Sequence, residues 1–374
     1  MAASRQREPE SLPQVDRTWV SAGGRRLSFF AGCDYYRLGS HPAVARAIGA
    51  GLRRFGLSVA ASRVTTGNHR LYGQLERRLA GFFQAEAALV LPNGYSTSLA
   101  VAQALRGQFT RVLIDEAAHV CLADAAPWFD CPVQAFGHRD AVDLARRVGR
   151  TGRSARLLLI TDGMFARDGS VAPLREYAAV LPSSAWMLVD DAHGAGVVGA
   201  QGRGTLEAAG VGRQRVIQTL TLSKALGVYG GAVLCSRAVR SRLVQQSHLF
   251  AGSTPLPLPL VAGALAALAL LTAGRRRRLR RNAEQVRGAL REAGWAVPPV
   301  PGPIIALNPL GRRAAAALRG DLLRAGVYPS LIRYPGGPAE GYFRFVISSE
   351  HSPAQLAALI GALRAHMGTL QPAG

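Results

Sequence analysis

Short apolar runs alternate with segments of helical period along most of the first 250 residues, and this alternation narrows the architectures open to the chain more than any other feature. The apolar runs include Ala88–Leu91, Val112–Ile114, Leu157–Ile160, Met187–Val189 and Ala232–Leu234. Between them lie Gln74–Phe83, Ala141–Val148 and Leu174–Leu181, whose apolar residues recur at helical spacing. Strand-like and helix-like segments in alternation predict an α/β fold, a large doubly wound and mostly parallel sheet with helices on both faces. Ligands of such sheets gather beyond the carboxyl ends of the strands.

Past Ser253 the character changes. A Pro-broken segment leads into a long Ala/Leu helix and an Arg run, then strand-like Ile304–Leu307 and Phe343–Ile347 around another helix. The pattern divides the chain into an arm with a short hairpin (Trp19–Phe30) over residues 1–45, a large domain over 46–250 and a smaller α+β domain over 251–374. Leu256–Ala273 followed by Arg275–Arg278 imitates a membrane span with a basic flank. Its three prolines leave about 14 helical residues, short of the roughly 20 a bilayer requires, so a buried helix is expected. Gly194–Gly199 spells a GxGxxG directly after a strand, but a dinucleotide fingerprint needs a helix to start there. Ala200-Gln201-Gly202-Arg203-Gly204 follows instead, which argues against a nicotinamide or flavin site.

Forty-five basic residues against 23 acidic ones give a formal charge of +22. A nucleic-acid or membrane surface is one reading of that excess. Aromatic residues are only 7% of the chain, and arginines are spread over its whole length with Arg275–Arg281 the one dense cluster, so no nucleic-acid partner is expected. Arg275–Arg281 is instead the best single candidate for an extended basic face that would attract an anionic partner. Four cysteines without CxxC spacing exclude a zinc knuckle and predict buried thiols, and no metal site is expected. With no apolar leader ahead of a small-residue cleavage site, the chain is expected in the cytoplasm.

Of the 45 cations only one is a lysine, Lys224, within Thr221-Leu222-Ser223-Lys224-Ala225-Leu226-Gly227. A surface charge tolerates arginine for lysine, but only a desolvated amine can deprotonate and form a Schiff base. Asp190 and Asp191 stand at the end of the strand Trp186–Val189, with His193 two residues beyond. A lysine for a Schiff base and an aspartate for a ring nitrogen are the two groups a pyridoxal phosphate site requires. Pro92-Asn93-Gly94-Tyr95-Ser96-Thr97 separates a strand from a helix whose first amides would suit a phosphate. His119 is placed to cover a flat ring, and Arg344 at the start of a strand would suit a substrate carboxylate.

With these pieces in place, the chain resembles the α-oxoamine synthases of the fold-type I pyridoxal phosphate enzymes, from roughly Leu27 to Ala365. The matching motifs are Asp34-Tyr35 with His41-Pro42, Ser62-Arg63 with Gly67 and His69, Leu75-Glu76, Asn93-Gly94-Tyr95, His119, Asp168-Gly169, Asp190-Asp191-Ala192-His193-Gly194, Gly202-Arg203-Gly204, Thr221 to Gly227, and Ser253-Thr254-Pro255. The resemblance implies that Lys224 carries the cofactor and later removes the Cα proton. It implies that Asp190 pairs with the ring nitrogen, that His193 hydrogen-bonds the phenolic oxygen and that His119 stacks on the ring. Gly94, Tyr95 and Thr221 match phosphate-side positions, Ser253 and Thr254 match a segment that reaches the phosphate of the neighbouring subunit, which implies a homodimer, and Arg344 matches the arginine that holds the amino-acid carboxylate. Two positions depart from the family: Ala166 replaces its usual serine, so a hydroxyl near the cofactor is missing, and Cys33, in a stretch that borders the substrate, stands where members carry asparagine.

The activity implied is an acyltransferase joining an amino acid to an acyl thioester, delivered by coenzyme A or an acyl carrier protein, with carbon dioxide lost and an α-amino ketone formed. The alternative keeps the cofactor and redirects the carbanion, as in a decarboxylase, an aldolase-like lyase or an aminotransferase.

Overall fold

The computed structural model describes residues 12, 14–152, 154–308, 310–333, 338 and 340–370. The first eleven residues of the expected arm therefore lie outside the described residues. The rest of the arm forms an antiparallel sheet of β1 (Gln14–Asp16), β2 (Trp19–Ala22) and β3 (Arg25–Ser28), so the expected hairpin gains a third strand. Helices α1 (Pro42–Phe55) and α2 (Arg70–Phe83) follow, capped by His41 and His69, whose Nδ1 atoms accept the amide two residues on.

Strands and helices then alternate as the apolar runs require: β4 (Ala87–Leu91), α3 (Tyr95–Ala104), β5 (Arg111–Asp115), α4 (Val120–Ala125), β6 (Val133–Phe136), α5 (Ala141–Gly149), β7 (Leu157–Asp162), α6 (Leu174–Val180), β8 (Trp186–Asp190), α7 (Thr205–Ala209), β9 (Val216–Thr221) and β10 (Gly231–Cys235). The seven strands β4 to β10 make one sheet in the order β4-β10-β9-β8-β7-β5-β6. Only β10 runs against its neighbours. β4, β7, β9 and β10 are buried along their whole length because helices cover both faces. Along β4, Ala88 and Val90 join one core with α2, while Leu89 and Leu91 join another with α3. No helix starts in Gly194–Gly199, as the dinucleotide argument anticipated, and the next helix is α7.

The remaining elements are α8 (Arg237–Gln246), α9 (His248–Gly252), α10 (Leu258–Leu270), α11 (Ala273–Glu292), β11 (Ile304–Ala306), α12 (Arg312–Arg324), β12 (Leu331–Ile332), β13 (Tyr342–Val346) and α13 (Pro353–Leu370). β11, β13 and β12 form a separate antiparallel sheet. α10 is the expected buried helix, and its apolar residues share the core of α1, α2 and the large sheet. Among the described residues no single helix is long and apolar enough to cross a membrane, and α10 and α11 meet at a 75° bend. α11 begins against the large-sheet core through Leu279 and ends against the C-terminal core through Ala283, Val286 and Leu290. We propose α11 as the join between the two units.

The arginine run departs from expectation. Helical period turns Arg276 inward, where its guanidinium donates 2.7 Å to the Leu271 carbonyl, and Arg275 and Arg278 both pair with Glu350. Only Arg277, Arg280 and Arg281 remain exposed, so the run is not a continuous basic face. The cysteines also divide: Cys121 and Cys235 are buried, whereas Cys33 and Cys131 are partly exposed, and all four are free thiols.

Candidate active site

The carboxyl ends of β7, β8 and β9 lie side by side, with Asp162 opposite Asp190 and Asp190 opposite Thr219 in parallel register. That edge, the start of α3 and the start of α4 enclose a cavity of about 610 Å³. Gly94, Tyr95, His119, Asp190, His193, Thr221 and Lys224 all line it, together with Asn93, Cys121, Asp162, Ser223 and Tyr229. Seven of the residues singled out from the sequence thus meet in one place. Ser253 and Thr254 do not line it: they follow α9 at the surface, where the Ser253 hydroxyl bonds the Leu249 carbonyl. Arg344 approaches from β13 of the C-terminal sheet.

Lys224 Nζ lies 2.7 Å from His193 Nε2, and His193 Nδ1 lies 2.6 Å from the Tyr35 hydroxyl. Removal from water pushes the Lys224 ammonium below its ordinary pKa, which raises the fraction of free amine at neutral pH. Burial holds His193 well below the usual imidazole range, and the neighbouring Lys224, Arg344 and His119 push the same way. Asp190 accepts the Ala192 amide (2.9 Å) at Oδ1 and the Cys121 thiol (3.3 Å) at Oδ2, which fixes the direction of its carboxyl group. His119 caps α4, and burial lowers its pKa. Its Nδ1 is 3.0 Å from Cys121 Sγ, so this thiol touches both the aspartate and the histidine.

Neither Cys121 nor Asp162 is among the sequence-derived candidates. Asp162 accepts the His119 amide at 2.7 Å, and burial beside Asp190 raises its carboxyl pKa well above the usual range. Its signal was available, since Thr161-Asp162 closes an apolar strand as Val189-Asp190 does. Asp191, by contrast, turns away from the cavity and accepts the Thr205 amide, the Thr205 hydroxyl and the Gln218 side-chain amide. A Cβ on Gly204, at φ +93°, would come within 1.8 Å of its Oδ2, so this carboxylate is the centre around which the 191–204 turn is wound.

Asp191→Asn is expected to lower stability by about 1–3 kcal/mol, because one acceptor becomes a donor facing donors. Thermal unfolding of the cofactor-free chain checks this. Burial raises the Asp191 pKa to about 6 from 3.8, so the folded chain binds the proton more tightly than the unfolded one. Stability should therefore fall as pH rises through that window, and the asparagine variant should lack this part of the pH dependence.

Arg344 Nε donates to the Ala166 carbonyl at 2.8 Å, and its Nη2 is 3.8 Å from Cys33 Sγ. Among the described residues no carboxylate pairs with it, although it lies near enough to Lys224 and His193 to depress both. A partly buried guanidinium with a free edge is suited to a carboxylate from outside the chain. Arg344→Lys should raise KM for an amino-acid substrate roughly tenfold or more while changing KM for the acyl donor little, since an ammonium cannot make two parallel bonds. Steady-state kinetics with Arg277→Lys as the exposed control checks this, and equal effects on both substrates would mark Arg344 as structural.

The donor set suits a pyridoxal phosphate. An amine, a carboxylate and two imidazoles surround the cavity, and its far end is closed by the amino terminus of a ten-residue helix. At that end a Cβ on Gly94 would lie 2.7 Å from Thr221 Cβ, so glycine alone keeps the backbone and the threonine hydroxyl together on one small space. Fold and site together define a fold-type I pyridoxal phosphate-dependent enzyme.

Residues 33–363 match the family described as Aminotransferase class I and II. The 8-amino-7-oxononanoate synthase of Thioalkalivibrio sulfidiphilus is 36% identical over 352 residues, covering 91% of this chain and 88% of the relative. That of Nitrosococcus oceani is 34% identical over 371 residues, covering 96% and 98%. Among solved structures, Sphingomonas wittichii serine palmitoyltransferase superposes with a TM-score of 0.89 at 28% identity, covering 97% of this chain and 94% of that one. The chain belongs to the aminotransferase class I and II family and, within it, to the α-oxoamine synthase group.

Proposed function

We propose that this enzyme condenses an amino acid with an acyl thioester, releasing carbon dioxide and a thiol and forming an α-amino ketone. When bound, the cofactor's protonated ring draws electrons from the amino acid's Cα, making that carbon acidic and then nucleophilic toward an acyl carbon. Lys224, the chain's one lysine, holds the cofactor and then, as a free amine, takes the Cα proton. With the cofactor bound, Asp190 would keep a proton on the ring nitrogen, His119 would cover the ring face and His193 would donate to the phenolic oxygen. The amides at Gly94 and Tyr95 and the Thr221 hydroxyl hold the phosphate. Arg344 grips the substrate carboxylate.

The observation that carries this reading is the partly buried Lys224 amine, just past the end of β9, lining one cavity with Asp190, with an arginine close by that no carboxylate of the described residues pairs. We further propose that a second copy of the chain completes the site. Support comes from Ser253 and Thr254, which lie outside their own cavity, and from the large side chains of Tyr95 and Tyr229, which line the cavity yet are exposed. The reaction reading is tested by incubating the reconstituted enzyme with panels of amino acids and acyl thioesters and analysing products by mass spectrometry. An acylated, decarboxylated product with stoichiometric thiol release supports it. Decarboxylated amine or keto acid with no thiol released overturns it in favour of redirected carbanion chemistry.

A further inference from the structure

Two buried groups from distant parts of the chain meet behind the cofactor lysine. Tyr35, which follows the arm sheet, has no solvent exposure, and His193, just beyond β8, has 4%. The hydroxyl of the first lies 2.6 Å from Nδ1 of the second, and the opposite ring nitrogen, Nε2, lies 2.7 Å from Lys224 Nζ. Tyr35 is itself held by its backbone, since its carbonyl accepts the Ser349 amide at 3.0 Å.

We propose that Tyr35 is the positioning residue for His193, its phenol fixing the imidazole tautomer so that the hydrogen stands on Nε2 and faces the cofactor side. A neutral imidazole carries one N–H, and the hydrogen bond made by one nitrogen decides which nitrogen bears it. Lys224, His119 and Arg344 surround His193 with positive or neutral groups, and burial adds to their effect, so the ring stays neutral. Burial also holds the Tyr35 proton on its oxygen, with Cys33 acting in the same direction. Between a phenol and a neutral imidazole, the phenol is the stronger donor and the bare ring nitrogen the stronger acceptor. Tyr35 therefore donates to Nδ1, and Nε2 is left as the donor, a hydrogen that Lys224 Nζ accepts at 2.7 Å as the free amine its lowered pKa favours. This inference rests on the proposed contact of His193 with the cofactor's phenolic oxygen, for which an Nε2 hydrogen is required.

The test has two arms. In the first, wild type, Tyr35→Phe, His193→Asn and the double variant are reconstituted with pyridoxal phosphate, and the visible band of the lysine-bound cofactor is titrated with pH. A donor to the phenolic oxygen favours loss of the neighbouring proton, so Tyr35→Phe is expected to move the midpoint upward by about 0.5–1 pH unit, the worth of one hydrogen bond. The double variant is expected to move no further than His193→Asn alone. An unchanged midpoint in Tyr35→Phe, whatever its melting temperature, or additive shifts in the double variant, would overturn the proposal. The second arm needs neither a variant at Tyr35 nor the cofactor. Imidazole ¹⁵N shifts of the wild-type cofactor-free protein, recorded at alkaline pH where Lys224 is the free amine and cannot force its own hydrogen onto Nε2, with the His193 signals identified by their loss in His193→Asn, report the tautomer directly. A protonated Nε2 supports the assignment and a protonated Nδ1 overturns it. Failure of the wild type to form any visible band would instead remove the underlying cofactor reading, leaving the tautomer result to stand by itself.

Discussion

Lys224→Ala is expected to abolish both the visible absorption of the bound cofactor and the condensation activity, a loss of roughly a thousandfold or more for removal of a covalent catalyst. The expectation is unusually sharp because the remaining 44 basic residues are all arginines. A guanidinium stays protonated and cannot replace the amine. Position reinforces composition: Lys224 is drawn out of water, its pKa is lowered, and His193 accepts or donates a hydrogen 2.7 Å away. Borohydride reduction of the reconstituted wild type, followed by peptide mapping, should place a pyridoxyl group on Lys224. Recovery of the label elsewhere, or retention of the band in the alanine variant, would remove the lysine from the mechanism. Because the amine is freed at lower pH than an exposed lysine would be, cofactor loading should persist toward neutrality and decline only as acid protonates Lys224.

Asp190→Asn is expected to leave the fold in place while slowing exchange of the substrate's Cα hydrogen with solvent deuterium by about 10²–10⁴. The amide is nearly the shape of the carboxyl group and can still accept the Ala192 amide, so the local structure should survive. What it lacks is a negative charge to keep the ring nitrogen protonated. Exchange measured by NMR reads this step without dependence on the acyl donor. Near-normal exchange would point to Asp162, the carboxyl group directly opposite on β7, as the ring's partner.

Much of this architecture was legible before any coordinates. The five apolar runs are all strands of the large sheet, and the Pro-interrupted apolar segment is the buried α10. Runs of this kind are readable because strands covered on both faces tolerate few polar residues. The single lysine and the aspartate at the end of a strand were readable for a different reason, namely that the chemistry admits few residue types. The arginine run misled because a count of charges carries no helix phase. Only the packing of α11 shows that Arg276 is buried and that Glu350, some seventy residues on, pairs with both Arg275 and Arg278.

By itself, then, the sequence determined the order of strands and helices, the edge where a ligand would sit, and the one lysine amine the chain could offer as a nucleophile, since periodicity and residue chemistry are local properties. The tertiary structure decided that Asp190, already singled out from the sequence, faces the cavity while its neighbour Asp191 does not. Successive residues leaving a strand point opposite ways, and nothing local says which way faces the crevice. Packing sent Asp190 into the cavity and Asp191 to Thr205 and Gln218. It also brought Tyr35 against His193 across 158 positions and Arg344 to Cys33 across 311, contacts set by how the arm and the C-terminal sheet close over the large sheet. Such pairings follow from the burial of whole elements, and no spacing along the chain encodes them.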